Sequence, residues 1–198
     1  MAEFSGISAG ERTEKDLVRD VGLWTLLKED FRTHGRKWTS AGLQALWVHR
    51  IGVYAETCRR PMRMLLKPLY TLGHLFCRNF YGVELERTVQ MGRRNQIGHQ
   101  HGIVIHKWAR IGDDCIFRQG VTLGSGVEWT HKEGPVVGNG VSFGVGCVIV
   151  GNVTIGDNVS IGPNCVVMTD IPSDRTVFTP PPRVLPKKTD TPPPAAGA

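Results

Sequence analysis

Two hydrophobic periods divide the chain. Between Asp16 and about Phe80, apolar residues recur three or four positions apart, the spacing of one helix face. Leu17, Val21, Trp24, Leu27 and Phe31 form one stripe, and Gly35 with the polar run to Ser40 ends it. Leu43, Leu46, Trp47, Ile51 and Tyr54 form a second. Pro61 is placed to open a third helix whose apolar side is Met64, Leu65, Leu69, Leu72, Leu75 and Phe76. Pro68 is expected to kink or split it.

After Phe80 the spacing becomes six. Leu85, Met91, Ile97 and Ile103 lead; after a two-residue slip come Ile105, Ile111, Phe117 and Leu123; the series resumes at Val137 and runs through Phe143, Ile149, Ile155 and Ile161 to Val167. Glycine often follows the aliphatic residue, and a small or medium residue sits four positions on: Cys115, Val121, Val141, Cys147, Val153, Val159 and Cys165. A period of six over this length is a hexapeptide repeat. Each unit predicts a short strand and a turn, and three units predict one triangular coil of about 18 residues. The aliphatic and small positions then stack inward. On this reading Cys115, Cys147 and Cys165 are core residues, and His101, four positions after Ile97, also points inward. Between Leu123 and Val137 lie 14 positions instead of six, so residues 124–136 leave the coil as a loop. The expected organisation is a helical region over 1–84, a mainly β solenoid over 85–178 and a Pro-rich tail over 179–198.

Composition adds limits. The 198 residues are 40% hydrophobic and 21% charged, as in a globular chain. No run approaches the ~20 apolar residues of a spanning helix and no secretory leader is evident, so a cytoplasmic protein with five free cysteines is expected. The formal net charge of +6 is uneven: residues 1–30 carry −3, residues 31–110 carry +11 and residues 111–198 carry −2. With no helix-turn-helix, zinc-finger or aromatic stacking motif beside it, this charge does not predict nucleic-acid binding. Arg59, Arg60, Arg63 and Lys67 border an apolar run, so residues 59–67 point to an anionic partner or a membrane surface, the alternative being a solvated helix face. Arg87, Arg93 and Arg94 fall on the first coils near His99 and are expected to serve the same end.

The chain resembles the serine O-acetyltransferase family of hexapeptide-repeat acyltransferases. The resemblance rests on GHQHGIVIH at 98–106, IGDDCIFRQGVTLG at 111–124, VGNGVSFGVGCVIVGNVTIGDNVSIGPNCVV at 137–167 and PPPRV at 180–184, with GLQALWVHRIG at 42–52 similar to the helix before the family's β-helix. It implies a left-handed parallel β-helix preceded by helices, a homotrimer with sites between subunits, and acetyl-CoA as co-substrate with no metal. Such chemistry needs a base for the acceptor hydroxyl, a socket for the oxyanion and two aligned substrates. The resemblance makes His99 the base. It places the family's loop histidine at Gly134, leaving His131, three positions earlier, as the second catalytic candidate. His106 stands where the family has glycine and, with Arg118 and Gly98, is assigned to the acceptor. Gly124, Gly144, Gly146, Gly162, Asn164 and Arg183 are assigned to acetyl-CoA, with Lys187 and Lys188 behind. For each of these glycines, corner geometry alone is the competing explanation.

The departures concern the acceptor. Gly98 replaces the Asp that precedes the family's catalytic histidine, and the Asp-Pro pair that helps hold serine has no clear match, Asp30 lying at the wrong distance. Both L-serine and a sugar hydroxyl, as in an exopolysaccharide or nucleotide-sugar branch, therefore remain open as acceptors. More distant alternatives are a γ-carbonic-anhydrase-like metal enzyme using His101 and His106, and a β-helix that only displays surfaces.

Overall fold

The structure, a computed structural model, describes residues 13–126 and 133–185. Four α-helices come first: α1 (Glu14–Val21), α2 (Leu23–Thr33), α3 (Ala41–Thr57) and α4 (Arg60–Phe76), the last continued by a π-helical turn, Cys77–Tyr81. Thr13 caps α1 in a reciprocal capping box with Asp16. The first apolar stripe is not one helix. Gly22, at φ 83, separates α1 from α2 with a backbone that L-residues disfavour. Pro68 lies inside a single continuous element rather than dividing it.

Beyond Tyr81 the chain winds into a parallel β-helix. Among the described residues fourteen short strands follow: β1 (Val83–Leu85), β2 (Gln90–Met91), β3 (Gln96–Ile97), β4 (Ile103–Ile105), β5 (Arg110–Ile111), β6 (Ile116–Phe117), β7 (Thr122–Gly124), β8 (Val136–Val137), β9 (Ser142–Phe143), β10 (Val148–Val150), β11 (Thr154–Ile155), β12 (Ser160–Ile161), β13 (Val166–Val167) and β14 (Thr176–Val177). They sort into three sheets, in the orders β1-β4-β7-β10-β13, β2-β5-β8-β11 and β3-β6-β9-β12-β14. From β1 to β10 each strand pairs with the one three later, so three strands make one coil; in the last coil an isolated bridge from Ile155 to Ile171 replaces a strand, and β12 pairs with β14. In the first sheet β1 (Val83–Leu85), β4 (Ile103–Ile105), β7 (Thr122–Gly124) and β10 (Val148–Val150) stack Leu85, Ile105, Leu123 and Ile149 in register. In the third sheet Ile97, Phe117, Phe143, Ile161 and Val177 align, and the Phe117 and Phe143 rings stack at 4.8 Å. The inward ladder is the six-residue series of the sequence, and Cys115, Cys147 and Cys165 are buried among it. Burial pushes the Cys115 and Cys147 thiols up to about 12.

The two-residue slip has a structural cause. The corner at residues 98–102 is longer than its neighbours, so Ile103 fills the small inward position of the next coil, in register with Val83. His101, expected inside, is instead exposed at φ 78.

Arg50 of α3 fastens the helices to the first coil. It is fully buried and donates to Glu14, to Asp30 and to the carbonyls of Met91 and Gly92. His49 adds contacts to Glu14 and to the carbonyl of Glu86, and the Met91 N–H donates to Glu14 at 3.0 Å. Burial opposes the charge on Glu14, but His49, Arg50 and the Met91 N–H together hold its carboxyl below the usual range. Asp30 has fewer partners, its Oδ1 accepts no hydrogen bond among the described residues, and burial pushes its carboxyl up. Asp30 is thus part of this clamp. Among the described residues no helix is long and apolar enough to cross a membrane.

Candidate functional site

Strand register determines which corner residues become neighbours. Ile97 pairs with Phe117, Phe117 with Phe143 and Phe143 with Ile161, so the following residues, Gly98, Arg118, Gly144 and Gly162, stand in a column along one edge. The Gly98 N–H donates to the Phe117 carbonyl, and the Gly144 N–H to that of Ile161. A second column beside it contains Gly102, Gly120, Gly146 and Asn164, all left-handed, at φ 70, 75, 67 and 55. His99 is exposed at the head of this edge. Among the described residues no hydrogen bond holds its imidazole.

The edge is smooth because most of it has no room for side chains. A Cβ on Gly144 would lie 2.6 Å from the carbonyl carbon of Gly162, and one on Gly146 would lie 2.6 Å from Asn164 Oδ1. Coil-on-coil packing accounts for Gly144, which meets backbone, whereas Gly146 meets only the movable end of a side chain and is explained by its left-handed backbone. Gly98 and Gly124 differ: a Cβ there would come no closer than 3.6 Å and 3.8 Å to its surroundings, and neither residue is left-handed. Neither packing nor backbone requires glycine at those two positions.

The helices hold the His99 corner from below. The Ile97 N–H donates to His34 Nε2, whose Nδ1 lies 2.7 Å from the Asp30 carbonyl. An Nε2 that accepts leaves the proton on Nδ1, so His34 sits as the neutral tautomer; burial pushes its pKa down. The His101 N–H donates to the Tyr81 carbonyl, and the Tyr81 hydroxyl donates to Gln44 Oε1 at 2.6 Å. Gly42 of α3 abuts Ile97 so closely that any Cβ would overlap it.

The other assigned residues lie on a different edge. His106 follows β4 and Gly124 ends β7, both strands of the first sheet. Gly134 is buried against the backbone of Trp108 and Ala109, and a Cβ on it would lie 3.1 Å from His106 Nδ1. That ring nitrogen is buried with no hydrogen-bond partner among the described residues, and burial pushes the His106 pKa down. A side chain at position 134 would need these neighbours to give by a few tenths of an ångström. His131, Lys187 and Lys188 lie outside the described residues. Arg183 is exposed beyond the last strand.

Each of the three arginines expected beside His99 has a carboxylate partner. Arg93 pairs with Glu29, Arg94 with Asp113 and Asp114 of the next coil, and Arg87 with Glu56. Position along the sequence misled here, because Arg93 and Arg94 sit on the corner after the second sheet, not on the corner that carries His99. Gln119 went unnoticed in the sequence. It follows Arg118 on the His99 edge and keeps its Oε1 buried and unpartnered among the described residues. Its corner position breaks no period, so the hydrophobic pattern contains no signal for it. No group of three or more His, Cys, Asp or Glu side chains among the described residues is arranged to hold a metal ion.

Residues 134–168 match the family described as "Bacterial transferase hexapeptide (six repeats)". A serine acetyltransferase of Synechococcus elongatus is 40% identical over 144 residues, 73% of this chain and 57% of the relative. One from Staphylococcus xylosus is 36% identical over 140 residues, 69% of this chain and 61% of the relative. The chain is similar to serine acetyltransferases over these residues. Among solved structures, serine acetyltransferase isoform 3 from Entamoeba histolytica in complex with cysteine matches with a TM-score of 0.69 at 25% identity, over 87% of this chain and 64% of that one. Soybean serine acetyltransferase complexed with serine matches with a TM-score of 0.68 at 25% identity, over 83% and 70%. The chain spans less than two thirds of the length of the two curated relatives named here.

Proposed function

We propose that the chain transfers acetyl from acetyl-CoA to the hydroxyl of L-serine, with His99 as general base. The observation that carries this reading is the exposed His99 at the head of a glycine-lined edge, in a chain 40% identical to a serine acetyltransferase over 144 residues. His99 takes the hydroxyl proton as the serine oxygen attacks the thioester carbonyl. The new C–O bond forms, the tetrahedral oxyanion collapses with cleavage of the C–S bond, and the departing thiolate receives the proton from the imidazolium. No covalent enzyme intermediate is required.

The residues fit a long thioester. The columns through Gly144, Gly146 and Gly162 leave backbone close to the surface, Asn164 adds an amide, and Arg183 is an exposed cation beyond their far end. Gly124 is glycine without steric need, which suits close approach by a ligand. On the acceptor side, Gly98 and Arg118 adjoin His99. His106, with its unpartnered Nδ1, lies across the first sheet, beyond a three-residue strand that spans about 10 Å. One chain thus divides the assigned residues between two edges. A homotrimer in which the His99 edge of one copy meets the His106 edge of the next unites them three times over.

Purified protein with acetyl-CoA tests this reading. Thiol release should require L-serine, and His99→Ala should lower kcat by about 10²–10⁴-fold. Release that is indifferent to serine, or supported only by sugar hydroxyls, overturns the acceptor, and full activity in His99→Ala overturns the base. Unfolding and refolding an equal mixture of the His99→Ala and His106→Ala variants should restore about a quarter of the parent activity if sites lie between copies, and none if they lie within one.

A further inference from the structure

Helix α4 is the least covered of the helices among the described residues. It meets the rest of the protein through a narrow line: Tyr70 is buried, Gly73 lies against Val48, and Cys77 closes the contact at the π-helical turn. Most of its remaining apolar side chains face solvent. Met62, Leu65, Leu69, Leu72 and Phe76 are 48%, 68%, 58%, 69% and 45% exposed, and Met64 at 77% and Leu75 at 38% extend the surface round the helix. At 100° per residue these positions cover an arc of roughly 160°. With Phe80, which stacks on Phe76 at 4.9 Å, the exposed area is on the order of 800 Å², beyond the largest apolar patch of an ordinary monomer.

Charge identifies the occupant. Residues 59–81 contain Arg59, Arg60, Arg63, Lys67 and Arg78 and not one Asp or Glu. Arg60, Arg63 and Lys67 follow one ridge beside the apolar arc. Arg63 is tied to the carbonyls of Glu56 and Cys58, while Arg60 and Lys67 are exposed. A second copy presenting the same face would set five cations against five with no carboxylate between them. The arc is also wider than the two positions in seven that a helix-to-helix seam uses. A broad apolar arc with a purely cationic ridge matches an interfacial helix lying in the headgroup region of an anionic bilayer.

We infer that α4 is a membrane-docking helix. It seats Leu65, Leu69, Leu72 and Phe76 among the acyl chains of an acidic leaflet and holds the β-helix at that surface without spanning it. The inference rests on α4 alone and is independent of the reaction proposed for the His99 edge.

Flotation of the full chain with vesicles tests it. Phosphatidylcholine vesicles containing phosphatidylglycerol should bind the protein at low salt at least tenfold more tightly than phosphatidylcholine alone, and added salt should weaken that binding. The exposed pair Leu69→Ser/Leu72→Ser should lower affinity at least tenfold. Arg60→Glu/Lys67→Glu should lower it by more than about 25-fold, since each cation near an anionic surface contributes about fivefold. Unchanged thermal melting of both variants would show that they fold. Absence of wild-type flotation with phosphatidylglycerol overturns the inference, as does flotation that neither pair reduces. A fall in solution mass of the leucine variant, with no vesicle binding by the wild type, would assign the face to a second copy and also overturn it. Serine-dependent thiol release measured on the same samples in solution separates this outcome from failure of the catalytic reading.

Discussion

The Ile97 N–H donates to Nε2 of His34 at 3.2 Å, which ties the turn between α2 and α3 to the strand that ends two residues before His99. This contact exists only while Nε2 is unprotonated, because a protonated ring would set one N–H against another. In the folded chain burial disfavours the charged imidazole, while the Asp30 carbonyl and carboxylate act in the opposite direction without reversing the shift. In the unfolded chain the ring binds a proton near the ordinary value of about 6.5.

The sign of the pH dependence follows. Below about 6.5 the unfolded state holds a proton that folded His34 resists, so stability falls with pH by at most about 1.4 kcal/mol per unit from this group. Above that range its contribution is complete. Denaturant titrations between pH 5 and 8 should show this slope, and His34→Gln, which keeps an acceptor but cannot titrate, should flatten it. An identical slope in His34→Gln would refute the assignment.

Gly98 should accept aspartate. Its backbone is not left-handed, and the nearest atom to an added Cβ is the Phe117 carbonyl oxygen at 3.6 Å, an ordinary contact. Gly98→Asp is expected to melt within about 0.5 kcal/mol of the parent and to raise kcat with serine, by giving the loosely held His99 an orienting carboxylate. Gly144→Asp is the control: it should unfold or aggregate, because its Cβ has no space. Equal melting of the two variants would show that edge packing has been misread.

Thiol accessibility should separate the five cysteines. Cys58 is half-buried, while Cys77, Cys115, Cys147 and Cys165 are buried, and burial pushes the Cys77 thiol up to about 11. A thiolate reagent at neutral pH should titrate one group in the native protein and all five in denaturant. Rapid native reaction of Cys115 or Cys147 would contradict their place inside the coil.

The period of six carried most of the β-helix. Inward packing allows only one residue class every six positions, so Ile149, Ile155 and Ile161 announced their strands before any contact was known. The same logic placed Cys115, Cys147 and Cys165 in the core; of the loop it places at 124–136, residues 127–132 lie outside the described residues. It failed at His101, because a corner two residues longer is indistinguishable in the hydrophobic pattern from a shifted strand; Ile103, in register with Val83, shows which occurred. It failed again for α4, whose periodicity revealed an apolar face but not whether anything covers it.

Sequence alone thus determined the hexapeptide coil and the helical lead-in, since these depend on local period, and a family resemblance singled out His99 as the candidate base. Tertiary structure alone decided what lies beside what. Stacking brings Arg118, Gly144 and Gly162 into line with Gly98, although 20 to 64 positions separate them along the chain. It assigns Arg93 and Arg94 to carboxylates away from the His99 corner, sets Gly134 against His106, and leaves α4 bare. The physical reason is that a solenoid converts coil length into lateral position, so a two-residue insertion at one corner or an excursion at another changes neighbours without changing the period that sequence displays.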